Sequence, residues 1–113
     1  MLLTMKKLLP LALSLMLSGC ATYAPGEDDY GRQLQGTGED VLQAARNYID
    51  ETTRVPKSLN ELVPKYLKAL PKEPVIQYDR ANSTLFFIYQ QKGPNGMSVT
   101  CHALLGQLQW VCV

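Results

Sequence analysis

The chain changes its hydrophobic rhythm three times. An apolar run from Leu8 to Leu17, broken by Pro10 and Ser14, gives way to "ATYAPGEDDYGRQLQG", residues 21–36, which has no sustained apolar period. From Thr37 a three-and-four spacing sets in. Val41, Leu42, Ala45, Tyr48 and Ile49 fall on one stripe, which predicts an amphipathic helix over residues 38–53. Thr37 stands at the cap position with Asp40 three residues on, and Val55-Pro56 ends the helix, because the residue before proline is pushed out of the helical region. "SLNELVPKYL" carries a second stripe of Leu59, Leu62, Val63, Tyr66 and Leu67. It opens with a Ser58/Glu61 capping box and is interrupted at Pro64, so it predicts a short second helix to Val63.

Beyond Val75 the period drops to two. "VIQYD", "TLFFIYQQ", "MSVTCHAL" and "LQWVCV" read as strands, separated by the turn-forming "RANS", "KGPNG" and Gly106-Gln107. Such short connections predict an antiparallel meander. The expected class is therefore α+β, an N-terminal amphipathic helix plus a short second helix packed on a four-stranded antiparallel β-sheet. "LFFIY" is apolar on both faces, so its strand is either central or displays an apolar patch to a partner.

The last hairpin predicts a register. A two-residue loop at Gly106-Gln107 places Leu105 opposite Leu108, Ala103 opposite Trp110 and Cys101 opposite Cys112. Met97, Val99, Cys101 and Ala103 then share an apolar face with Leu108, Trp110 and Cys112, while Ser98, Thr100, His102 and Gln109 take the other. In an ideal hairpin of that kind the cysteines fall at a hydrogen-bonded position. The closer, non-hydrogen-bonded position suits a disulfide better, so the alternative is a bulge or longer loop between Leu104 and Leu108.

Charge and cysteine placement change the reading of the N-terminus. Lys6 and Lys7 precede the apolar run and small residues follow it, the pattern of an export signal too short to span a bilayer, which takes about 20 residues. Leu17-Ser18-Gly19-Cys20 resembles the lipobox of bacterial lipoproteins. That resemblance implies cleavage before Cys20, diacylglycerol and palmitate on the new N-terminus and, with Ala21 rather than aspartate next, a place on the periplasmic face of the outer membrane. The expected organisation is a lipoprotein signal peptide over 1–19, a lipidated flexible tether over 20–36, and a single periplasmic domain over 37–113. Such a tether reaches roughly 20 to 25 Å.

The 113 residues hold 11 Lys and Arg against 10 Asp and Glu. Losing Lys6 and Lys7 with the signal leaves the rest close to neutral, which does not point to nucleic acid. With Cys20 on lipid, Cys101 and Cys112 are the two remaining thiols in a compartment where disulfides persist, and they are expected to pair. A metal site is the alternative for them, but only His102 is nearby.

Ala45, Tyr48, Asp50, Arg54, Val55, Pro56, Leu59, Leu62, Val63, Pro64, Tyr66, Leu67, Leu70, Pro71 and Pro74 together resemble the globular-domain pattern of type IV pilins and type II secretion pseudopilins. The resemblance covers residues 41 to 96. It implies a pilin-like fold in which a helix ends at a proline turn and a leucine-rich stretch leads into an antiparallel sheet. Val55 and Glu73 replace the family's usual tyrosine and aspartate, and a lipobox stands where pilins carry a long apolar assembly helix. "KGPNG" lies where major pseudopilins bring acidic ligands to calcium, and Asn95 alone does not supply such a site, so neither metal nor cofactor is expected.

Candidate chemistry is sparse. His102 is the single histidine, placed on the solvent face of a strand with no acid beside it in sequence. Glu27, Asp28 and Asp29 read as a solvated linker, and Lys57, Lys65, Lys68 and Lys72 as a mildly basic patch. Tyr48, Tyr66, Tyr78, Phe86, Phe87, Tyr89 and Trp110 read mostly as core. The expected function is a non-enzymatic, lipid-anchored periplasmic module that binds an envelope protein, an accessory of a pilus or secretion system. The alternative is a small periplasmic inhibitor or binder of an envelope enzyme such as lysozyme.

Overall fold

The computed structural model describes residues 23–92, 96–107 and 109–113. The signal, Cys20, Asn95 and Leu108, and with them the readings placed on those residues, lie outside the described residues.

Among the described residues, a long helix, α1 (Asp29–Thr52), precedes a 3₁₀ turn (Leu59–Leu62) and four strands, β1 (Gln77–Asp79), β2 (Thr84–Gln90), β3 (Ser98–Leu104) and β4 (Val111–Cys112). The strands form an antiparallel meander in the order β1-β2-β3-β4, with α1 packed on one face, so the class is α+β as the sequence predicts.

The helix starts well before the predicted point. Asp28 is its N-cap and accepts a hydrogen bond from the Gly31 N–H at 3.1 Å, while the Thr37 hydroxyl donates to the Gln33 carbonyl inside the helix and caps nothing. Residues 29–36 are therefore helical, and the expected flexible tether over 20–36 is corrected for that part. The stripe that buries α1 is continuous once small residues are counted in it: Gly31, Leu34, Gly38, Val41, Leu42, Ala45 and Tyr48 are all buried. The two glycines are there for close approach. A Cβ on Gly31 would stand 2.8 Å from Tyr89 Cζ, and one on Gly38 would stand 2.7 Å from Trp110 Cζ2. At the other end Thr53 adopts a left-handed φ of 59° and its N–H closes the helix on the Ile49 carbonyl.

The predicted second helix is reduced to the 3₁₀ turn. Ser58 makes no side-chain cap, and Glu61 instead accepts from the Lys57 N–H at 3.3 Å and from the Tyr48 hydroxyl. A 3₁₀ turn held by a tertiary tyrosine replaces the expected capping box.

In the sheet, Leu85, Phe87 and Tyr89 of β2 lie opposite Ala103, Cys101 and Val99 of β3, and all six are buried against α1. Met97, expected on the same face, is 52% exposed. It precedes β3, past the end of the buried row.

Cys101 pairs with Cys112 as predicted, at disulfide-bonding distance with an S–S separation of 2.06 Å and Cα atoms 4.0 Å apart. The two-residue loop is not what delivers them. The turn closes by the Gln107 N–H donating to the Leu104 carbonyl, and strand pairing starts only at His102 and Val111, so the connection is longer than the ideal hairpin. Thr100 and Val113 exchange both backbone hydrogen bonds, at 2.9 and 2.8 Å, which leaves Cys101 and Cys112 as the adjacent non-hydrogen-bonded pair. The longer-loop alternative is the one adopted.

Candidate interaction surface

The helix covers one face of the sheet, and among the described residues no element covers the other. Alternation along β2 and β3 sends Phe86, Ile88, Thr100 and His102 outward. Strand pairing aligns them into rows: Phe86 beside His102 beside Val111, and Ile88 beside Thr100, whose backbone in turn bonds Val113. Ile88, Val111 and Val113 are 56%, 49% and 67% exposed, and Phe86 is half-buried. The central strand is thus apolar on both faces, as "LFFIY" predicts, and its outer face meets solvent.

This arrangement settles where the candidate chemical groups stand. His102 is half-buried in the outer face between Phe86 and Val111, and no described residue forms a hydrogen bond with its ring. Cys101 is buried beneath the helix with its sulfur bonded to Cys112. Among the described residues, no group of three or more His, Cys, Asp or Glu is placed to hold a metal ion, and no helix is long and apolar enough to cross a membrane.

The acidic cluster is not a uniform solvated linker. Glu27 and Asp29 are exposed, but Asp28 is buried and accepts a second hydrogen bond, at 2.5 Å, from the hydroxyl of Tyr89. Burial alone would raise the Asp28 carboxyl pKa, and the bonds from Tyr89 and Gly31 outweigh it and hold the group below its ordinary value. Burial, then the Asp28 carboxylate that accepts its bond, push the Tyr89 hydroxyl up to about 12. Sequence inspection misses this pair because its partners are 61 residues apart. Counting Gly31 and Gly38 with the apolar stripe is the signal that could have found the helical start.

The segment before the helix also rests on the sheet. The Gly26 backbone, with φ +82°, lies so close to the disulfide that a Cβ there would stand 2.6 Å from Cys112 Sγ, and the Gln35 amide holds the Gly26 carbonyl at 2.7 Å. Gln91 reaches the Ala24 carbonyl at 3.2 Å. The described chain is therefore docked from Ala24 onward.

Beside the outer face, a groove of about 690 Å³ opens between the start of α1, residues 72–75 and the end of β2. Lys72, the one member of the predicted basic patch in its lining, faces it together with Lys92, whose ammonium lies 4.4 Å from the centre of the Tyr30 ring. Glu73, also in the lining, accepts a hydrogen bond from the Tyr30 hydroxyl, and Lys65 of the predicted patch is paired with Glu51 on an exposed surface.

Compared with protein-family models, curated proteins and solved structures, the chain matches none.

Proposed function

We propose that the protein is a non-enzymatic interaction module with a pilin-like fold, anchored by lipid on Cys20 at the periplasmic face of the outer membrane. Its outer sheet face is presented to an envelope protein of a pilus or secretion system. The observation that carries this reading is the row of Phe86, Ile88, Val111 and Val113 on a face that no other described element covers. These side chains flank the more polar row of Thr100 and His102 on one exposed sheet face, and exposed apolar side chains gathered on one face, with polar groups among them, suit a protein partner. The docked segment from Ala24 leaves few residues between the anchor and the domain, so the module is held close to the membrane.

Two measurements test it. Growth with a palmitate analogue should label the wild type and not Cys20→Ser, and label on the variant removes the anchor from the reading. A photo-crosslinking amino acid at Ile88 in cells should capture one defined envelope component, lost when Phe86 and Val111 are changed to lysine. An absence of any specific adduct removes the interaction role. A lysozyme-protection assay separates the inhibitor reading from the structural accessory.

A further inference from the structure

β1 covers β2 only at Thr84, Leu85 and Phe86, so Phe87 to Gln90 form a sheet edge on that side. The pattern of bonds on the other side determines what this edge offers. Gln91 donates its N–H to the Met97 carbonyl at 2.8 Å and Leu105 donates to the Ser83 carbonyl at 2.9 Å. In an antiparallel ladder the bonding direction alternates, so odd-numbered residues of β2 bond β3 and even-numbered ones aim N–H and C=O the opposite way. Ile88 and Gln90 therefore direct their backbone groups away from β3. Among the described residues, no backbone hydrogen bond meets them.

These groups open into the groove described above. Continuing the register of β1 would bring Val75 opposite Ile88, but the chain diverges before Gln77 and Val75 stands 69% exposed in the opposing wall. The groove lies where β1 stops short, and Tyr30 and Leu34 of α1 line it together with Lys72 and Lys92.

We propose that this groove accepts an extended, acidic segment of a partner protein by β-strand addition to Ile88–Gln90. The proposal rests on the interaction-module reading and names the segment that module takes. Unpaired backbone groups select a strand, because main-chain bonds give affinity while alternate side chains enter pockets. One apolar side chain of the segment points in toward Leu34 and Tyr30, and its neighbours lie outward beside Ile88 and Val75. The charge favours acid: the two lysines in the lining outnumber its one carboxylate, Glu73, which also accepts the Tyr30 hydroxyl's hydrogen bond. A second copy is disfavoured on the same ground, since edge pairing of two chains brings like lysines together. Lysines beside an edge also serve to block edge association, and the test separates this protective role from recognition.

The probe is the fluorescein-labelled peptide Asp-Thr-Val-Ile-Val-Thr-Asp, titrated by anisotropy against the full lipidated chain in detergent micelles. Binding should slow amide hydrogen exchange at Ile88 and Gln90. Backbone N-methylation of alternate peptide residues should weaken binding at least about tenfold, the loss expected when two main-chain bonds are removed. Lys72→Glu and Lys92→Glu should weaken it several-fold and restore binding to a lysine-ended peptide. Gln90→Pro removes an N–H with no internal partner, and should abolish binding; should that variant not fold, the lysine variants and the exchange data decide. Equal affinity of the methylated peptide, or no binding at about 1 mM, overturns strand addition. Capture of a partner through Ile88 in cells with no peptide binding overturns this inference alone. Peptide binding without any cellular adduct overturns the interaction role alone.

Discussion

The hydroxyl of Tyr89 donates to the carboxylate of Asp28 at 2.5 Å, joining the end of β2 to the residue that starts the helix. Asp28 thereby serves two elements at once, since its other oxygen caps Gly31 at 3.1 Å. Tyr89→Phe keeps the ring in the core and removes the donor, leaving a buried carboxylate short of one partner. The expected loss is about 1 to 3 kcal/mol, read by chemical denaturation, and Asp28→Ala should lose the cap as well. A loss indistinguishable from zero in Tyr89→Phe shows that the bond contributes nothing net.

The same pair predicts how stability follows pH. Asp28 has its folded pKa depressed, so its contribution is present above the ordinary value of 3.8 and is lost as pH falls through the lower folded value. Tyr89 has its folded pKa raised, so its contribution is complete below the ordinary value of 10.0 and is lost as pH rises toward about 12. Denaturation midpoints measured across these windows should fall at both ends. Tyr89→Phe should flatten the alkaline limb relative to the wild type.

Glycines along α1 should respond with opposite signs. Alanine is the better helix former by about 1 kcal/mol, and at Gly36, where a Cβ meets nothing within 4 Å, Gly36→Ala should stabilise by up to that amount. At Gly38 the Cβ would stand 2.7 Å from Trp110, so Gly38→Ala should instead destabilise by about 1 to 3 kcal/mol through overpacking. Thermal unfolding of the two variants side by side checks the contrast, and stabilisation by both contradicts the close approach.

Cys101 and Cys112 close a short loop 11 residues apart in sequence. Removing the bond with Cys101→Ser should cost about 2.5 to 3 kcal/mol in the chain-entropy model. It should also release one thiol at Cys112. Thiol titration of the unfolded wild type with and without reductant checks the pairing, because equal counts mean that no disulfide is present.

Much of the sheet was legible beforehand because its pattern is local. Alternation identified all four strands, and the shared register of Cys101 with Cys112 followed from strand pairing near a turn. Leu85, Phe87 and Tyr89 were readable as one face of a strand that is apolar on both sides. The helical start was not legible, because Gly31 and Gly38 look like linker residues until a tyrosine and a tryptophan are seen beneath them.

The sequence alone determined the α+β class, the order of elements and the identity of the cysteine pair, since hydrophobic period and turn chemistry act over a few residues. Tertiary structure decided the rest. It buried Asp28 by bringing Tyr89 across 61 positions, reduced the second helix to a turn held by Tyr48, and moved the cysteines to the closer kind of strand pair by lengthening the loop. It also determined that the helix occupies one sheet face and that β1 stops short of Ile88, which together expose Ile88, Val111 and Val113 and leave the Ile88–Gln90 edge without a partner strand among the described residues. Such features depend on which distant surfaces meet, and one helix can cover one face.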